Sequence, residues 1–168
     1  MNTQMKALLL VVAFIIVGII LGGWFFSGFT MSSDAMEPTF AKGKMIFYSR
    51  KVRTFSRGSI VLIQIPDTET QAVRRIIGLP GEKVEYRGGE MYINDQKVEE
   101  KYLKMMDKEG PQVDTSPPPG FGPVTIPEFS YFVLGDNRKT ARDSRTFGFI
   151  LEQDIIGRVW ALWGVLVF

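Results

Sequence analysis

The chain has 168 residues, of which 45% are hydrophobic, and it carries 20 Lys plus Arg against 18 Asp plus Glu. This length leaves room for one compact domain and one extra segment. Neither Cys nor His occurs, which excludes disulfides, zinc sites that need those ligands, Cys nucleophiles and triads with an imidazole base. The nearly balanced charge gives no basic stripe for nucleic acid, so we expect no nucleic-acid partner.

The first predicted element is an N-terminal helix that follows a short tail, residues 1–6. Residues 7–26 read ALLLVVAFIIVGIILGGWFF and contain no charged side chain. Twenty apolar residues in a helix span the ~30 Å of a bilayer's hydrocarbon core. A cleaved signal peptide is the alternative, but it has a shorter apolar region and a small-residue cleavage site, and the sequence has neither feature. We therefore predict a transmembrane helix over 7–26.

The orientation of this helix is poorly determined by charge. Lys6 precedes the helix, and five basic residues follow it within reach: Lys42, Lys44, Arg50, Lys51 and Arg53. The positive-inside rule does not decide between the two orientations for such a distribution. A short tail without acidic residues favours a cytoplasmic N-terminus, so we predict a single-pass protein of the cell membrane with its C-terminal domain extracytoplasmic.

Residues 27–168 have the pattern of a mainly β fold, because short β-branched or aromatic runs alternate with Gly, Pro, Asn and Asp. We predict a single, largely antiparallel β-sheet domain over this range. The predicted strands are Met45–Tyr48, Ser59–Ile65, Ala72–Ile77, Lys83–Tyr86, Glu90–Ile93, Lys97–Glu99, Tyr131–Leu134 and Ile155–Trp163.

Three further local predictions follow from turn chemistry and composition. Asn94-Asp95 is a favourable turn pair, so the strands on either side of it are predicted to form a hairpin. Residues 105–129 are rich in Pro and Gly and are predicted to be a peripheral loop. Trp160–Phe168 is apolar but too short to span a bilayer, which favours a buried strand or a membrane-surface contact.

Three segments in this chain carry a family resemblance. Met36-Glu37-Pro38-Thr39, Arg74-Arg75-Ile76-Ile77-Gly78-Leu79-Pro80-Gly81-Glu82 and the stretch from Gly135-Asp136-Asn137-Arg138 to Gly148 occur in this order behind the apolar segment. Together they resemble the conserved boxes of bacterial type I signal peptidases, the S26 serine proteases that remove signal peptides. The resemblance implies one transmembrane helix, an antiparallel β domain of signal peptidase type, and no cofactor or metal.

At three positions the sequence departs from the family pattern. The resemblance implies a Ser/Lys dyad, in which a serine attacks and a buried lysine takes its proton. The nucleophile position is Ala35, the general-base position is Arg74, and the serine that orients the lysine is replaced by Ala141. A methyl group cannot attack a carbonyl, and an arginine stays protonated. The sequence therefore predicts a site without peptidase chemistry.

Other candidate site residues are retained. The resemblance gives Ser33 and Met36 as oxyanion or substrate-binding residues, and a turn or cap serine is the alternative for Ser33. Asp143 and Arg145 match the family's acid and base near the site, and we expect them to order the loop. Met31 and Phe40, like Met36, are predicted to pack in the core or to rest on the membrane surface.

Two functions from different classes remain open on the sequence alone. The first is a non-catalytic, membrane-anchored homologue that binds extended signal-peptide-like or pilin-like segments, or that assists secretion or pilus assembly. Its expected partners are membrane lipid, those peptide segments and other secretion or pilus-assembly proteins. The second is an active signal peptidase with an unusual nucleophile, such as Ser33 with Lys42 or Lys44 as base. An anchored interaction module unrelated to secretion is a third, less favoured hypothesis.

Overall fold

The computed structural model describes residues 3–50, 54–106 and 120–160. The first helix, α1, spans Thr3–Phe25, and large apolar side chains such as Leu10 and Phe14 are exposed along it. Within the described ranges, no helix has both the length and the apolar character that a membrane crossing requires. This finding does not confirm the transmembrane helix over 7–26, which stays a prediction.

Eleven strands follow α1 in the described part of the chain. They are β1 Phe26–Thr30, β2 Met45–Ser49, β3 Ile60–Gln64, β4 Gln71–Gly78, β5 Lys83–Arg87, β6 Glu90–Ile93, β7 Gln96–Val98, β8 Phe121–Thr125, β9 Ser130–Leu134, β10 Ile150–Leu151 and β11 Ile155–Trp160. Two short helices, α2 Lys101–Met106 and α3 Ser144–Phe147, and a 3-10 turn over Glu152–Asp154 lie between them.

The strands form two sheets. The larger has the order β1-β2-β11-β3-β4-β9-β10, and the smaller has the order β7-β6-β5-β8. Each described strand pair is antiparallel, including the central β3–β4 and β4–β9 pairs. The predicted mainly β, antiparallel architecture is confirmed.

Both faces of the larger sheet are covered at its centre. Val61 and Ile63 of β3 pack in one buried cluster, whereas Ile60 and Leu62 of the same strand pack in another. Successive side chains of a strand point to opposite faces, so a strand buried on both sides has a continuous apolar sequence. The same alternation places the neighbouring residues Arg74 and Arg75 of β4 on opposite faces.

The hairpin predicted around Asn94-Asp95 is present. Ile93 pairs with Gln96, which leaves Asn94 and Asp95 as a two-residue turn. Both turn residues have positive φ, 49° and 64°. Type I′ turns require this backbone, and Asn and Asp tolerate it better than most side chains.

The structure differs from the predicted elements at several places. The predicted loop over 105–129 contains β8, an edge strand of the smaller sheet that pairs with β5. A strand with a proline at position 123 is tolerated there, because an edge strand has one side without ladder hydrogen bonds. The elements β1, β10, α2 and α3 were not predicted. Residues 107–119 and 161–168 lie outside the described residues.

Candidate functional site

Ala35, the predicted nucleophile position, lies in the connection between β1 and β2. It is buried, and its carbonyl oxygen accepts a hydrogen bond from the Asn137 backbone N–H at 3.1 Å. A backbone hydrogen bond from Glu37 to the carbonyl of Asp34, 2.9 Å long, forms a turn around it. The connection is thereby attached to the loop that follows β9.

Gly135 is the point at which two predicted site positions meet. A Cβ atom built on Gly135 would lie 2.5 Å from the carbonyl oxygen of Ala35 and 2.3 Å from the Cβ atom of Ala141. Both distances are shorter than any side chain allows, so only glycine permits this approach. Ala35 and Ala141, which are far apart in sequence, are therefore neighbours in the fold.

Arg74, the predicted base position, reaches the same loop from β4. Its Nε and Nη2 atoms donate to the carbonyl oxygen of Arg142 at 2.9 and 2.6 Å, and its Nη1 donates to the carbonyl of Val73 at 2.6 Å. The residue is only 4% exposed. Burial lowers the pKa of Arg74, the Asp143 carboxylate opposes that shift, and the Arg145 charge adds to it. Arginine still remains protonated at neutral pH.

Asp143 is fully buried and connects Gly135 to Arg145 within this loop. Its Oδ2 atom accepts from the backbone N–H of Gly135 at 3.0 Å, and its carboxylate accepts from the Nε and Nη2 atoms of Arg145 at 2.8 and 2.7 Å. It is also the N-cap of α3, since its side chain accepts from the Arg145 backbone N–H. These contacts hold Asp143 and Arg145 together in the loop after β9, and their predicted role in ordering the site stays a prediction.

Ser33 and its neighbours occupy the same connection between β1 and β2. Ser33 is half-buried, whereas Met31, Met36 and Phe40 belong to a buried apolar cluster with residues of β2 and β3. The three apolar side chains therefore pack in the core. Whether Ser33 stabilises an oxyanion stays a prediction.

A second buried charge pair lies behind the site, and it was not predicted. Arg75 donates from Nε and Nη2 to the two carboxylate oxygens of Asp136 at 2.8 and 2.6 Å. Thr39 donates its hydroxyl proton to the same carboxylate. Asp136 thereby joins β4 to the Thr39 segment. In the sequence, Arg75 belongs to a largely apolar strand and directly precedes Ile76. A charge in such a strand indicates a buried partner of opposite charge.

The α2 region is attached to this pair. Arg138 donates to both carboxylate oxygens of Glu100 and, at 3.1 Å, to the Tyr102 hydroxyl. The Arg75 guanidinium lies over the Tyr102 ring, 4.0 Å from its centroid. Burial raises the pKa of Tyr102, and the carboxylate of Glu100 raises it further. No local pattern in the sequence indicates this contact, because Glu100 and Tyr102 lie outside the three boxes.

Comparisons with known proteins place this geometry in a family. Residues 3–163 match the family model described as signal peptidase, peptidase S26. The chain is 35% identical to a signal peptidase I of Bacillus licheniformis, with 85% of this chain and 79% of the relative aligned. It is 34% identical to signal peptidase I T of Bacillus subtilis (93% and 83% covered) and 34% identical to signal peptidase IB of Staphylococcus aureus (88% and 82% covered).

A solved structure is similar as well. The crystal structure of a signal peptidase I from Enterococcus faecalis superposes on this chain with a TM-score of 0.55 and 33% sequence identity. The match covers 64% of this chain and 98% of the other.

Proposed function

Since this chain belongs to the signal peptidase family, peptidase S26, we propose that it is a member that binds signal-peptide-like or pilin-like segments without cleaving them. The proposal rests on one observation, that the residue at the nucleophile position is alanine, Ala35. It directly precedes Met36-Glu37-Pro38-Thr39, and its methyl side chain offers no oxygen that could attack a peptide carbonyl. Its backbone is held at the site by Gly135 and Asn137.

The base position supports the same conclusion. A lysine takes a proton from serine only when burial has made its neutral form accessible. Arg74 is buried, but its guanidinium cannot lose a proton at a workable pH. Its hydrogen bonds to the Arg142 carbonyl join β4 to the loop that carries Ala141. Arginine at this position therefore contributes to the architecture and supplies no base.

Peptide binding does not need the missing groups. An extended segment that adds to a strand is held by main-chain hydrogen bonds, and small side chains select the register. The buried contacts among Ala35, Gly135 and Asp143 keep the site ordered without a nucleophile. Loss of cleavage is thus compatible with retained recognition of the peptide class on which the family acts.

The proposal includes a position at the membrane. Signal peptidase I proteins are membrane-associated, and here the apolar segment 7–26 lies ahead of the β domain. We propose that this segment anchors the protein with its N-terminus cytoplasmic and its β domain extracytoplasmic. Membrane lipid, exported peptide segments and secretion or pilus-assembly proteins are then its partners.

The competing function is an active signal peptidase that uses Ser33. That mechanism needs a lysine beside Ser33 whose charge is disfavoured by burial. Lys42 and Lys44, which lie in the same connection, are both exposed to solvent. The non-catalytic function is therefore favoured.

The deciding experiment is cleavage of a preprotein in detergent or lipid by the full chain. It is compared with the triple variant Ala35→Ser, Arg74→Lys, Ala141→Ser and with the double variant Arg74→Lys, Ala141→Ser. We expect the chain and the double variant to be inert and the triple variant to cleave, because only the last has both nucleophile and base. Cleavage by the unchanged chain at a signal-peptide boundary would overturn the proposal, and Ser33→Ala would then test the competing nucleophile.

A further inference from the structure

In the part of the chain that the structure describes, no carboxylate is hydrogen-bonded to the buried guanidinium of Arg74. All of its hydrogen bonds within residues 3–50, 54–106 and 120–160 go to the backbone carbonyls of Val73 and Arg142. Five N–H bonds are available on an arginine side chain, and these contacts use three of them. One N–H on each of the two terminal nitrogens is left over. Buried charges in proteins are normally paired, so this arrangement needs an explanation.

The acid that acts on the Arg74 charge does not neutralise the site. Asp143 is the carboxylate that stabilises the Arg74 charge through space, but its oxygens accept hydrogen bonds from Arg145 and from the backbone N–H of Gly135. Two arginines therefore share one buried acid, and this group of three charges has a net charge of +1. Arg75, on the opposite face of β4, differs in that Asp136 neutralises it directly.

The side chains at the two neighbouring site positions supply no acceptor. Ala35 and Ala141 end in methyl groups, and both lie against Gly135. Ala141 directly precedes Arg142, whose carbonyl holds the guanidinium. The surplus positive charge is therefore attached to the segment that carries Ala141, the orienting-serine position, and Gly135 brings Ala141 close to Ala35, the nucleophile position.

We propose that Arg74 makes this site a receptor for the free C-terminal carboxylate of an extended peptide. The inference rests on the proposed peptide-binding function and specifies its ligand. A peptide that lies in the site with its terminal carbonyl carbon at the nucleophile position places a carboxylate next to the unused guanidinium N–H groups. Arginine binds a carboxylate through two parallel hydrogen bonds, which a lysine cannot reproduce. An uncleaved segment presents a neutral amide there and leaves the charge unpaired.

Burial strengthens the discrimination between the two ligands. Arg74 is only 4% exposed, so a carboxylate that reaches it enters a region of low dielectric constant. A hydrogen bond to a charged group in such a region favours the ionic partner over a neutral one by about tenfold or more. The protein would thus retain released peptides that end at a cleavage site in preference to intact precursors.

The test uses the full chain in detergent micelles and two fluorescent peptides of one sequence, apolar and ending in Ala-Leu-Ala. One peptide has a free C-terminal carboxylate and the other a C-terminal amide, and fluorescence anisotropy gives both dissociation constants. We expect the acid to bind about tenfold or more tightly than the amide. Arg74→Gln should abolish the preference, and Arg74→Lys should reduce it. Arg87→Gln, which removes an exposed positive charge on β5, should leave it unchanged.

The outcomes separate this inference from the function on which it rests. Equal binding of acid and amide by the unchanged chain overturns the carboxylate proposal and leaves peptide binding intact. Binding of neither peptide overturns both. The comparison on the unchanged chain needs no variant, so it decides the question even if Arg74→Gln fails to fold. A preference that persists in a folded Arg74→Gln variant also contradicts the inference.

Discussion

Arg75 illustrates how a single residue of this fold depends on one partner. Its side chain is 1% exposed and that of Asp136 is 0% exposed, and the two share a two-point ion pair. Each ion has been removed from water, so the pair is tolerated only while both members and their additional hydrogen bonds are present. Thr39 and the Gly58 carbonyl supply those additional bonds.

We predict that Asp136→Asn lowers the free energy of unfolding by about 3–5 kcal/mol, because the substitution leaves the buried Arg75 charge unpaired. The measurement is urea unfolding in mild detergent, followed by circular dichroism. Asp95→Asn is the matched control: it removes the exposed Lys83–Asp95 pair, and such pairs contribute about 1 kcal/mol or less. Equal losses for the two variants would show that the buried pair is not a special determinant of stability.

At the scale of elements, Gly135 fixes how closely two connections approach each other. The β1–β2 connection contributes the Ala35 carbonyl, and the loop between β9 and α3 contributes Ala141. Their contact joins segments that are distant from each other in the sequence. A methyl group at position 135 would have to displace backbone on one side, and well-packed interiors resist such insertions.

Gly135→Ala is therefore expected to lower the free energy of unfolding by about 1–3 kcal/mol and to weaken peptide binding. Gly28→Ala on β1 is the control, because a Cβ atom there meets only the Met45 side chain at ordinary van der Waals distance. Unfolding and anisotropy measurements on both variants check this. Unchanged peptide affinity in Gly135→Ala would contradict the assignment of this contact to the binding site.

Tyr102, in α2, makes the free energy of unfolding depend on pH. Burial raises the pKa of Tyr102, the charges of Glu100 and Asp136 raise it further, and Arg138 opposes them. A group whose folded pKa is raised contributes stability below its unfolded pKa, which is about 10 for tyrosine, and loses that contribution as the pH rises through the folded value. The folded state holds the phenolic proton longer, so alkaline pH favours unfolding.

We predict that, above about pH 10, the free energy of unfolding falls by up to about 1.4 kcal/mol per pH unit on account of this one group. Tyr102→Phe should be less stable at neutral pH, because it loses the hydroxyl contacts with Glu100 and Arg138. Above about pH 10, however, its free energy of unfolding should fall less steeply with pH, by up to about 1.4 kcal/mol per pH unit. Unfolding curves at several pH values provide the measurement. Parallel slopes in the two proteins would rule out Tyr102 as the source.

At the scale of the whole molecule, the question is what holds the β domain near the peptide ligands that we propose for it. We propose that the apolar segment 7–26 does so, since large hydrophobic side chains such as Phe14 and Val17 are exposed along α1. An exposed apolar surface of that extent is unfavourable in water.

The double variant Phe14→Arg, Val17→Arg should reduce the fraction of protein retained in membranes after alkaline carbonate extraction. Each arginine near the middle of an inserted helix costs about 2.5–3.5 kcal/mol of insertion free energy. Leu151→Arg is the control, because it places the same charge on an exposed apolar position of the β domain. Equal retention of all three proteins would contradict the anchoring role of 7–26.

The sequence by itself determined the class of fold, the hairpin at Asn94-Asp95 and the family. These features rest on local rules: strand periodicity, turn chemistry, and motifs whose spacing survives in one dimension. The prediction that Ala35, Arg74 and Ala141 occupy the nucleophile, base and orienting positions also rests on sequence alone, because it depends on their places within the motifs.

Only the tertiary structure decided how these positions are arranged. The contact of Ala35 and Ala141 at Gly135, the bonds from Arg74 to the Arg142 carbonyl, and the pairing of Arg75 with Asp136 all join segments distant in the chain. No local pattern encodes such contacts, since each depends on which strands become neighbours and on which face a side chain leaves its strand. β8 was not predicted for a related reason: pairing with β5 outweighs the weak strand propensity of a segment that contains Gly and Pro.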